Sequence, residues 1–491
     1  MIQSTSLSAP FALPEQARFA MSGQFASELW AVRQNILPDP VERISIQKSI
    51  YDAETSLSSL SAEQEDAACE IRARISLLGS RLAPIRRLPP EILSSIFVDP
   101  SLHTSISRGT FLLAGRGSDP VTAVSFHWRA TALSTPHFWA IFSVSLCGTD
   151  NVMHLLQLYL NRSKNCALSL EIRVRGSDVH PGILREILNG CERWATLRLD
   201  IVTPDLLSLF SPIRRRLRSL RQLSLQIGGG FGAGVSIEGL DTFELAPNLS
   251  TLKLSLPDGV LPRVPFAQIK TLSISADFLP FAARFPNLSF LSVTGNPGEP
   301  SSPIVTADVP SLSAHPAVLQ GVTTPTLVHL HLSGGGTPWS SRQFEVFVQR
   351  SQFALRTLTL DNVRIRGKDV VHVLPLVPMV QSLTLQSLQP HAITEIVMRA
   401  LTRGDGPQSL PALTTLSLSG SYLFSTPTLL EMLESRISVD SHSAPLRWVK
   451  LHLRHREFGA EQLDRLRALT RSGVSLSVKC LNADKQFVTM L

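Results

Sequence analysis

Glycine, histidine and cysteine are the residues through which this chain would do chemistry, and each type can be tested against the spacing that its chemistry needs. The run IGGGFGAG at 227–234 follows an alternating strand pattern and contains a G-x-G-x-x-A spacing. In that arrangement a backbone can approach a pyrophosphate at a helix N-terminus. The helix that must follow is not in the pattern: VSIEGLDTFELAP is short, interrupted at Gly239 and closed by Pro247. The run is therefore read as a repeat connector, and no cofactor is expected. Thirteen histidines are dispersed; His329 and His331 alternate on one strand pattern, and His452 and His455 flank another. Those are surface positions on a sheet and do not form a ligand set. The chain has no G-x-S-x-G elbow, no Walker lysine motif and no H-E-x-x-H, and no spacing assembles an acid, a base and a nucleophile. No catalytic, cofactor-binding or metal-ligating residue is assigned, and the chain is expected not to be an enzyme.

The cysteines Cys69, Cys147, Cys166, Cys191 and Cys480 contain no C-x-x-C pair. This argues against a zinc site and a disulfide framework, and fits a reducing compartment. A formal charge of +7 is small over 491 residues. The densest basic run, Arg214, Arg215 and Arg216 with Arg218 and Arg221, carries no interleaved aromatic residues on which bases stack. It reads as a solvated face, and nucleic acid is not an expected partner. The N-terminus lacks the basic and apolar regions of a signal peptide. No run reaches the ~20 apolar residues of a membrane span, so a cytoplasmic or nuclear location and no membrane partner are expected. The N-x-S sequons at Asn161, Asn248 and Asn287 should then stay unmodified.

Positioning elements come next. The chain is too long for one ordinary hydrophobic core, so several domains or a repeat array are expected. Charged residues make up only 17%, below the usual ~25%, which leaves little room for long charged tails. Residues 1–40 read as a partly helical segment: 1–12 are Ser-rich and frayed, and Phe19, Phe25, Leu29 and Val32 share one helical face. LPDP at 37–40 breaks that pattern. Residues 41–82 then read as one long helix without internal proline, within a segment 41–83. Ile50, Leu57, Ile71 and Leu78 lie on a seven-residue spacing, Leu60 and Ala67 take companion positions, and Gln64 and Arg74 interrupt the seam. A short coiled coil and an antiparallel hairpin both satisfy this pattern; a coiled coil or helical extension that packs within the chain is expected.

The stretch IRRLPPEILSSIF at 85–97 predicts a short helix opened by proline. Pro89 and Pro90 suit a first turn, where the missing N–H is not needed, and Glu91 puts a carboxylate at the positive end of the helix dipole. Ile92, Leu93, Ile96 and Phe97 form one apolar stripe with Ser94 and Ser95 opposite. The stripe serves equally as core of the chain's own domain or as a docking face. Downstream, VSFHWRATALSTPHFWAIFSVSL at 124–146 holds Trp128, Arg129, Leu133, Ser134, Thr135, Pro136 and Trp139.

The two strings together resemble the F-box of a large fungal (basidiomycete-type) family. The resemblance implies a small three-helix domain over 84–147 that binds a Skp-type adaptor and, through it, a cullin of a ubiquitin ligase. Leu88, Pro89, Glu91, Ile92, Leu93, Ile96 and Phe97 would present the docking surface, supported by Val124 and Trp128, with Leu88, Ile92 and Leu93 as anchors. The sequence departs from the family pattern in a looped stretch over 98–117 containing Pro100, Gly109, Gly115 and Gly117. It also has Ser125 and Phe126 where Cys and Arg often precede W-R. Asp119–Pro120 is expected to cap the helix on which Val124, Trp128 and Ala132 share a face, and Thr135–Pro136 to open a last short helix.

Beyond 148 an L-x-x-L-x-L string recurs ten times, with its central residue at Leu197, Leu223, Leu252, Leu272, Leu291, Leu330, Leu358, Leu383, Leu416 and Val449. Alternation marks half-buried strands, and recurrence every 19 to 39 residues marks a degenerate leucine-rich-repeat-like horseshoe over 148–491. The widest gap, Gly295 to Thr324, reads as an inserted loop. The fold class expected is α+β multidomain: a long helix, an F-box-like domain and an α/β repeat solenoid. If the exposed residues of the strings form a capture face, Arg198, Lys253, His331, Arg356 and Lys450 are its candidates. The family plan implies a substrate-recognition subunit that holds an unknown protein near a ligase. A repeat scaffold without ligase association is the alternative, and a nucleic-acid-binding repeat protein is a third.

Overall fold

The structure is a computed structural model. It describes residues 23–60, 64–99, 121, 124–147, 150–176, 178–228, 241–256, 262–295, 304–334, 338–403, 409–420, 422–437, 444–454, 458–481 and 487–489. The chain forms two compact units, residues 1–170 with 180–186 and residues 171–179 with 187–491. The division falls near 170, not at the expected 148, and helix Asp150–Arg162 belongs to the first unit.

In the first unit, α1 (Gly23–Gln34), α2 (Pro40–Ser58) and α3 (Glu65–Leu82) precede α4 (Pro90–Val98) and α5 (Phe126–Ser134). A 3-10 turn at Pro136–Ala140, β1 (Ile141–Ser145) and α6 (Asp150–Arg162) follow. The LPDP breaker also starts a helix: Asp39 accepts a hydrogen bond from Glu42 N at 2.7 Å with Pro40 in the first turn. The long helix expected over 41–82 is instead two helices. Near the break, Ser56, Ser58 and Ser59 donate to the carbonyls of Asp52, Thr55 and Ser56, which competes with helix propagation. Arg81 at the end of α3 pairs with Glu42 at the start of α2, so the two run antiparallel as a hairpin. Leu78 is buried and Ile50, Leu57 and Ile71 are half-buried as the spacing predicted, but Ala68 is buried where Ala67 was expected.

Arg86 ties this hairpin to α1. It is buried and donates to Val32 O at 2.7 Å, Ser80 O at 2.6 Å and Ser80 Oγ at 2.8 Å, while its own carbonyl accepts from Asn35 Nδ2 at 3.1 Å. Burial and the nearby Arg81 charge hold its pKa below the usual guanidinium value. Asp119 and Pro120 lie outside the described residues. The helix carrying Trp128 starts at Phe126, capped by Ser125 Oγ, which accepts from Trp128 N at 3.2 Å.

In the second unit the strings become strands. After β2 (Leu168–Val174) and helix α7 (Pro181–Asn189) come β3 (Trp194–Ile201), β4 (Gln222–Ile227), β5 (Thr251–Ser255), β6 (Thr271–Ser275) and β7 (Phe290–Thr294). Then follow β8 (Val305–Thr306), β9 (Ser311–Ala314), β10 (Val322–Thr323) and β11 (His329–Ser333). The last six are β12 (Thr357–Asp361), β13 (Ser382–Leu388), β14 (Thr415–Gly420), β15 (Trp448–Arg454), β16 (Ser475–Leu481) and β17 (Phe487–Thr489). From β3 to β16 the main sheet is a parallel ladder that leaves out only β8 and β10, which pair with each other; β17 closes the edge antiparallel.

Among the described residues register holds along the central column, and a shift occurs only past it, between Gln386 and Leu388 of β13 against β14. Leu197, Leu223, Leu252, Leu272, Leu291, Leu312, Leu330, Leu358, Leu383, Leu416, Val449 and Leu476 are successive Cα partners. A second buried column runs two residues further along each strand, and the residue three before each central position is buried too, from Trp194 through Leu220 to Leu446. Connector type changes along the array, from 3-10 turns such as Pro204–Ile213 in the N-terminal part to α-helices in the C-terminal part. Spacings of 20 and 19 residues around Leu272 leave room only for the 3-10 turns Phe266–Gln268 and Ala276–Arg284. The longer C-terminal spacings hold α8 (Ser341–Ser351), α9 (Gly367–Val373), α10 (Glu395–Leu401), α11 (Thr426–Ser435) and α12 (Ala460–Arg471). Their buried faces, such as Phe344 and Phe347, Val397 and Met398, or Leu429 and Leu433, cover the leucine columns.

The expected loop over 295–324 is corrected by β9, which pairs with β7 on one side and β11 on the other. Val309, Leu312 and Ala314 are buried in the same three positions as in the other repeats, and only Ala314 is smaller than every counterpart. Alanine in the last slot and the surrounding Pro and Ser disguise the string. Polar side chains also join successive connectors: Asn248 Nδ2 donates to Arg218 O and Asn287 Nδ2 to Ala267 O, each at 2.6 Å, and Gln268 Nε2 to Ala246 O at 2.5 Å. Arg436, buried, donates to Ser409 O at 2.6 Å, Leu410 O at 3.1 Å and Leu401 O. Its pKa is held down to about 10 by burial and then by Arg403. Leu312→Ala should lower stability by about 2–5 kcal/mol in urea denaturation, the cost of a core cavity. A loss within about 0.5 kcal/mol, typical of a surface loop, would contradict a repeat at this position.

Candidate partner-binding surfaces

The stripe on α4 divides between two uses. Leu93 is 0% exposed and Phe97 5%, and they pack with Ala132, Phe138 and Trp139 as the unit's core. Phe97 lies 5.3 Å from Trp128 and 6.0 Å from Phe138 between ring centroids. Trp139 Nε1 donates to Ala132 O at 2.7 Å, and the Arg162 guanidinium sits 4.5 Å over the Trp139 ring. Trp128, Leu88 and Ile96 are partly buried against the same cluster. Leu93 is therefore corrected from docking anchor to core, and Phe97 with it: a helix that must cover its own domain spends the inner half of an apolar stripe on that task. Pro89, Glu91 and Ile92 remain exposed on α4, Ile92 at 48%, and Val124 is exposed ahead of α5. Phe126 and Leu133, which the sequence reading did not assign to a surface, are exposed as well. Exchanging Leu93 for Ala should destabilise the unit by about 2–5 kcal/mol, whereas Ile92→Ala should stay within about 0.5 kcal/mol. Equal losses in thermal unfolding would contradict this division.

The second surface is the outward side of the sheet, where side chains alternate with the buried columns. The column between the two buried ones reads Arg198, Ser224, Lys253, Ser273, Ser292, Ser313, His331, Thr359, Thr384, Ser417, Lys450 and Ser477. Four of the five sequence candidates stand in it: Arg198, Lys253 and Lys450 are exposed, and His331 is half-buried with Nδ1 3.2 Å from Ser313 Oγ. Arg356 does not. It lies in the turn before β12, where its N–H donates to Val328 O at 2.9 Å. Hydroxyl side chains dominate the middle of the face, and His329 Nδ1 lies 3.0 Å from Thr357 Oγ1.

Charges at the N-terminal end of the face are paired. Arg173 and Arg198 both meet Glu171, at 2.9 and 3.8 Å, and Arg175 meets Asp200 at 2.6 Å. Part of the basic run is neutralised in the same way. Arg214 lies 2.5 Å from Asp241 and 2.7 Å from Glu244, and Arg216 lies 3.4 Å from Glu192, so these two arginines are paired, while Arg215, Arg218 and Arg221 are exposed.

Among the described residues no group of three or more His, Cys, Asp or Glu is placed to hold a metal ion. Cys191 is buried, and burial pushes its thiol pKa up, away from nucleophilic reactivity. Most of the glycine run lies outside the described residues; Gly228 N, at its start, is taken by Ile201 O at 2.7 Å. No described helix is long and apolar enough to cross a membrane.

No family model matches the chain, and no curated protein matches it. Among solved structures it is similar to an internalin from Listeria monocytogenes, at 15% identity over 61% of this chain and 86% of that one, with a TM-score of 0.29. The repeat architecture described above rests on the strand register of this chain itself.

Proposed function

We propose that the chain is a non-enzymatic recognition subunit. The outward sheet face of the second unit captures a protein, and α4 with the start of α5 docks the chain on a Skp-type adaptor and, through it, a cullin of a ubiquitin ligase. The observation that carries the docking half is Ile92, a large aliphatic side chain left in solvent at the head of a proline-opened helix whose Leu93 and Phe97 are committed to the core. Interfaces concentrate their energy in such anchors. With Leu93 and Phe97 in the core, the docking set becomes Leu88, Pro89, Glu91, Ile92, Ile96, Val124 and Trp128. The capture half is supported by a continuous solvent-facing sheet surface of small hydroxyl residues and isolated charges, on a backbone held rigid by the columns behind it. Catalysis is then the ligase's task, and this chain contributes proximity.

The burial of two of the nine residues that the F-box resemblance assigns to the adaptor favours a second reading, a repeat scaffold without ligase association. Co-purification of the full chain with a Skp adaptor separates the two. The proposal expects capture by the wild type and a loss of about tenfold or more for Ile92→Asp, with circular dichroism unchanged. A well-folded wild type that captures no adaptor would leave the scaffold reading.

A further inference from the structure

The C-terminal edge of the outward face differs from the rest of it. In register across three strands stand Thr415, Ser417 and Ser419, then Trp448, Lys450 and His452, then Ser475, Ser477 and Lys479. Trp448 is 63% exposed, a large indole set between a threonine and a serine in its column. Lys450 lies two residues along the same strand, and Lys479 is the register partner of His452. After burial, the charges of Lys450 and Lys479 are what hold the His452 pKa below its ordinary value, so the three basic groups share one small area. In the column that holds His452, the nearest described carboxylate is Asp361, three strands away, or roughly 14 Å at the spacing of hydrogen-bonded strands. The local acids gather on the helices instead: Glu434 accepts from Arg465 at 2.9 and 2.7 Å, with Glu431 and Glu461 nearby. This is the reverse of the N-terminal end, where Arg173 and Arg198 share Glu171 and Arg175 meets Asp200.

Beside Trp448, at the entry end of β15 and β16, a cleft of about 430 Å³ opens. Ile437, Pro445, Leu446 and Val474 give it an apolar wall, and Arg447 and Trp448 form its rim. The site therefore offers an apolar seat, an aromatic edge and a line of positive charge leading away from it.

We infer that this edge binds a short acidic protein segment carrying an apolar anchor residue. The anchor seats in the cleft against Trp448, and the segment's carboxylates meet Lys450 and then Lys479. The inference rests on the reading of the sheet face as a capture surface and narrows it to one place and one chemistry. At ~3.3 Å per strand residue, the cations lie about 7 and 13 Å beyond the indole. An extended ligand therefore places Asp or Glu two and four residues from its anchor. A nucleic-acid tract fits less well. There is one stacking ring, and the neighbouring strand continues with uncharged Ser417 and Ser419, where strand tracking needs a continuing basic groove.

A phage-displayed library of random twelve-residue peptides, selected on the immobilised full chain, tests this. The enriched peptides should be net acidic, with an aromatic or aliphatic residue two to four positions from Asp or Glu. By fluorescence polarisation their affinity should fall about tenfold or more for Trp448→Ala and for the pair Lys450→Glu with Lys479→Glu. Trp448 and Lys450 are exposed and Lys479 is half-buried, and the changes leave Val449, Leu451 and Val478 in the buried columns, so the variants should keep the wild-type circular dichroism. Enriched peptides without acidic character, or acidic ones indifferent to these changes, would overturn the assignment. If binding is lost with Arg198→Glu and Lys253→Glu instead, the capture face stands and this edge fails. If no peptide is enriched, both fail. A fluorescein-labelled oligo-dT bound more tightly than any peptide, and lost with the same lysines, would assign the edge to single-stranded nucleic acid and overturn the inference.

Discussion

The constraint on which the second unit depends is that one residue of every repeat stands level with its counterparts in the repeats before and after it. From Leu197 to Leu476 the central position is carried strand to strand without a slip, and Val449 is its one departure from leucine. A shift by one residue would turn each buried side chain into solvent, so the columns fix register as well as stability. Burying one aliphatic side chain is worth about 1.5–3 kcal/mol. No single repeat covers its own leucines, and each is stable only between neighbours. The irregular spacing of the strings is tolerated because connectors take up the difference, with 3-10 turns in the N-terminal part and helices in the C-terminal part.

That arrangement decides where recognition can occur. The inward side chains and the connectors are committed to each other, while the outward positions bear no packing duty and are free to vary. They hold hydroxyls through the middle, self-paired ions at one end, and unbalanced cations beside an exposed indole at the other. The same economy governs the first unit. α4 has apolar residues on a broad face, yet Leu93 and Phe97 are consumed by contacts with Trp128, Phe138 and Trp139. What remains for a partner is the exposed rim at Pro89, Glu91, Ile92 and Val124 and the partly buried Leu88, Ile96 and Trp128.

Much of this was legible in the sequence, and the exceptions have physical causes. The L-x-L of all ten strings lies in strands, because period-two alternation is a signal that no helix satisfies. The repeat at Leu312 was hidden because Ala314 fills a slot where bulk was sought. Residues 41–82 contain no proline, so the serine-driven break after Ser58 left no sharp mark. The α4 stripe was visible, but a one-dimensional pattern cannot apportion its residues between a domain's own core and a partner. The buried arginines Arg86 and Arg436 left no trace at all. Each looks like a surface cation, and only the fold shows the backbone carbonyls that gather around its guanidinium.

Native-state hydrogen exchange read by mass spectrometry tests most directly whether β3 to β16 form one continuous ladder. The account predicts that amides of Ser311–Ala314 exchange as slowly as those of β7 and β11 on either side, through openings shared with them. Exchange of that segment orders of magnitude faster than both neighbours would break the ladder at its centre. It would contradict the account of two repeats between Leu291 and Leu330.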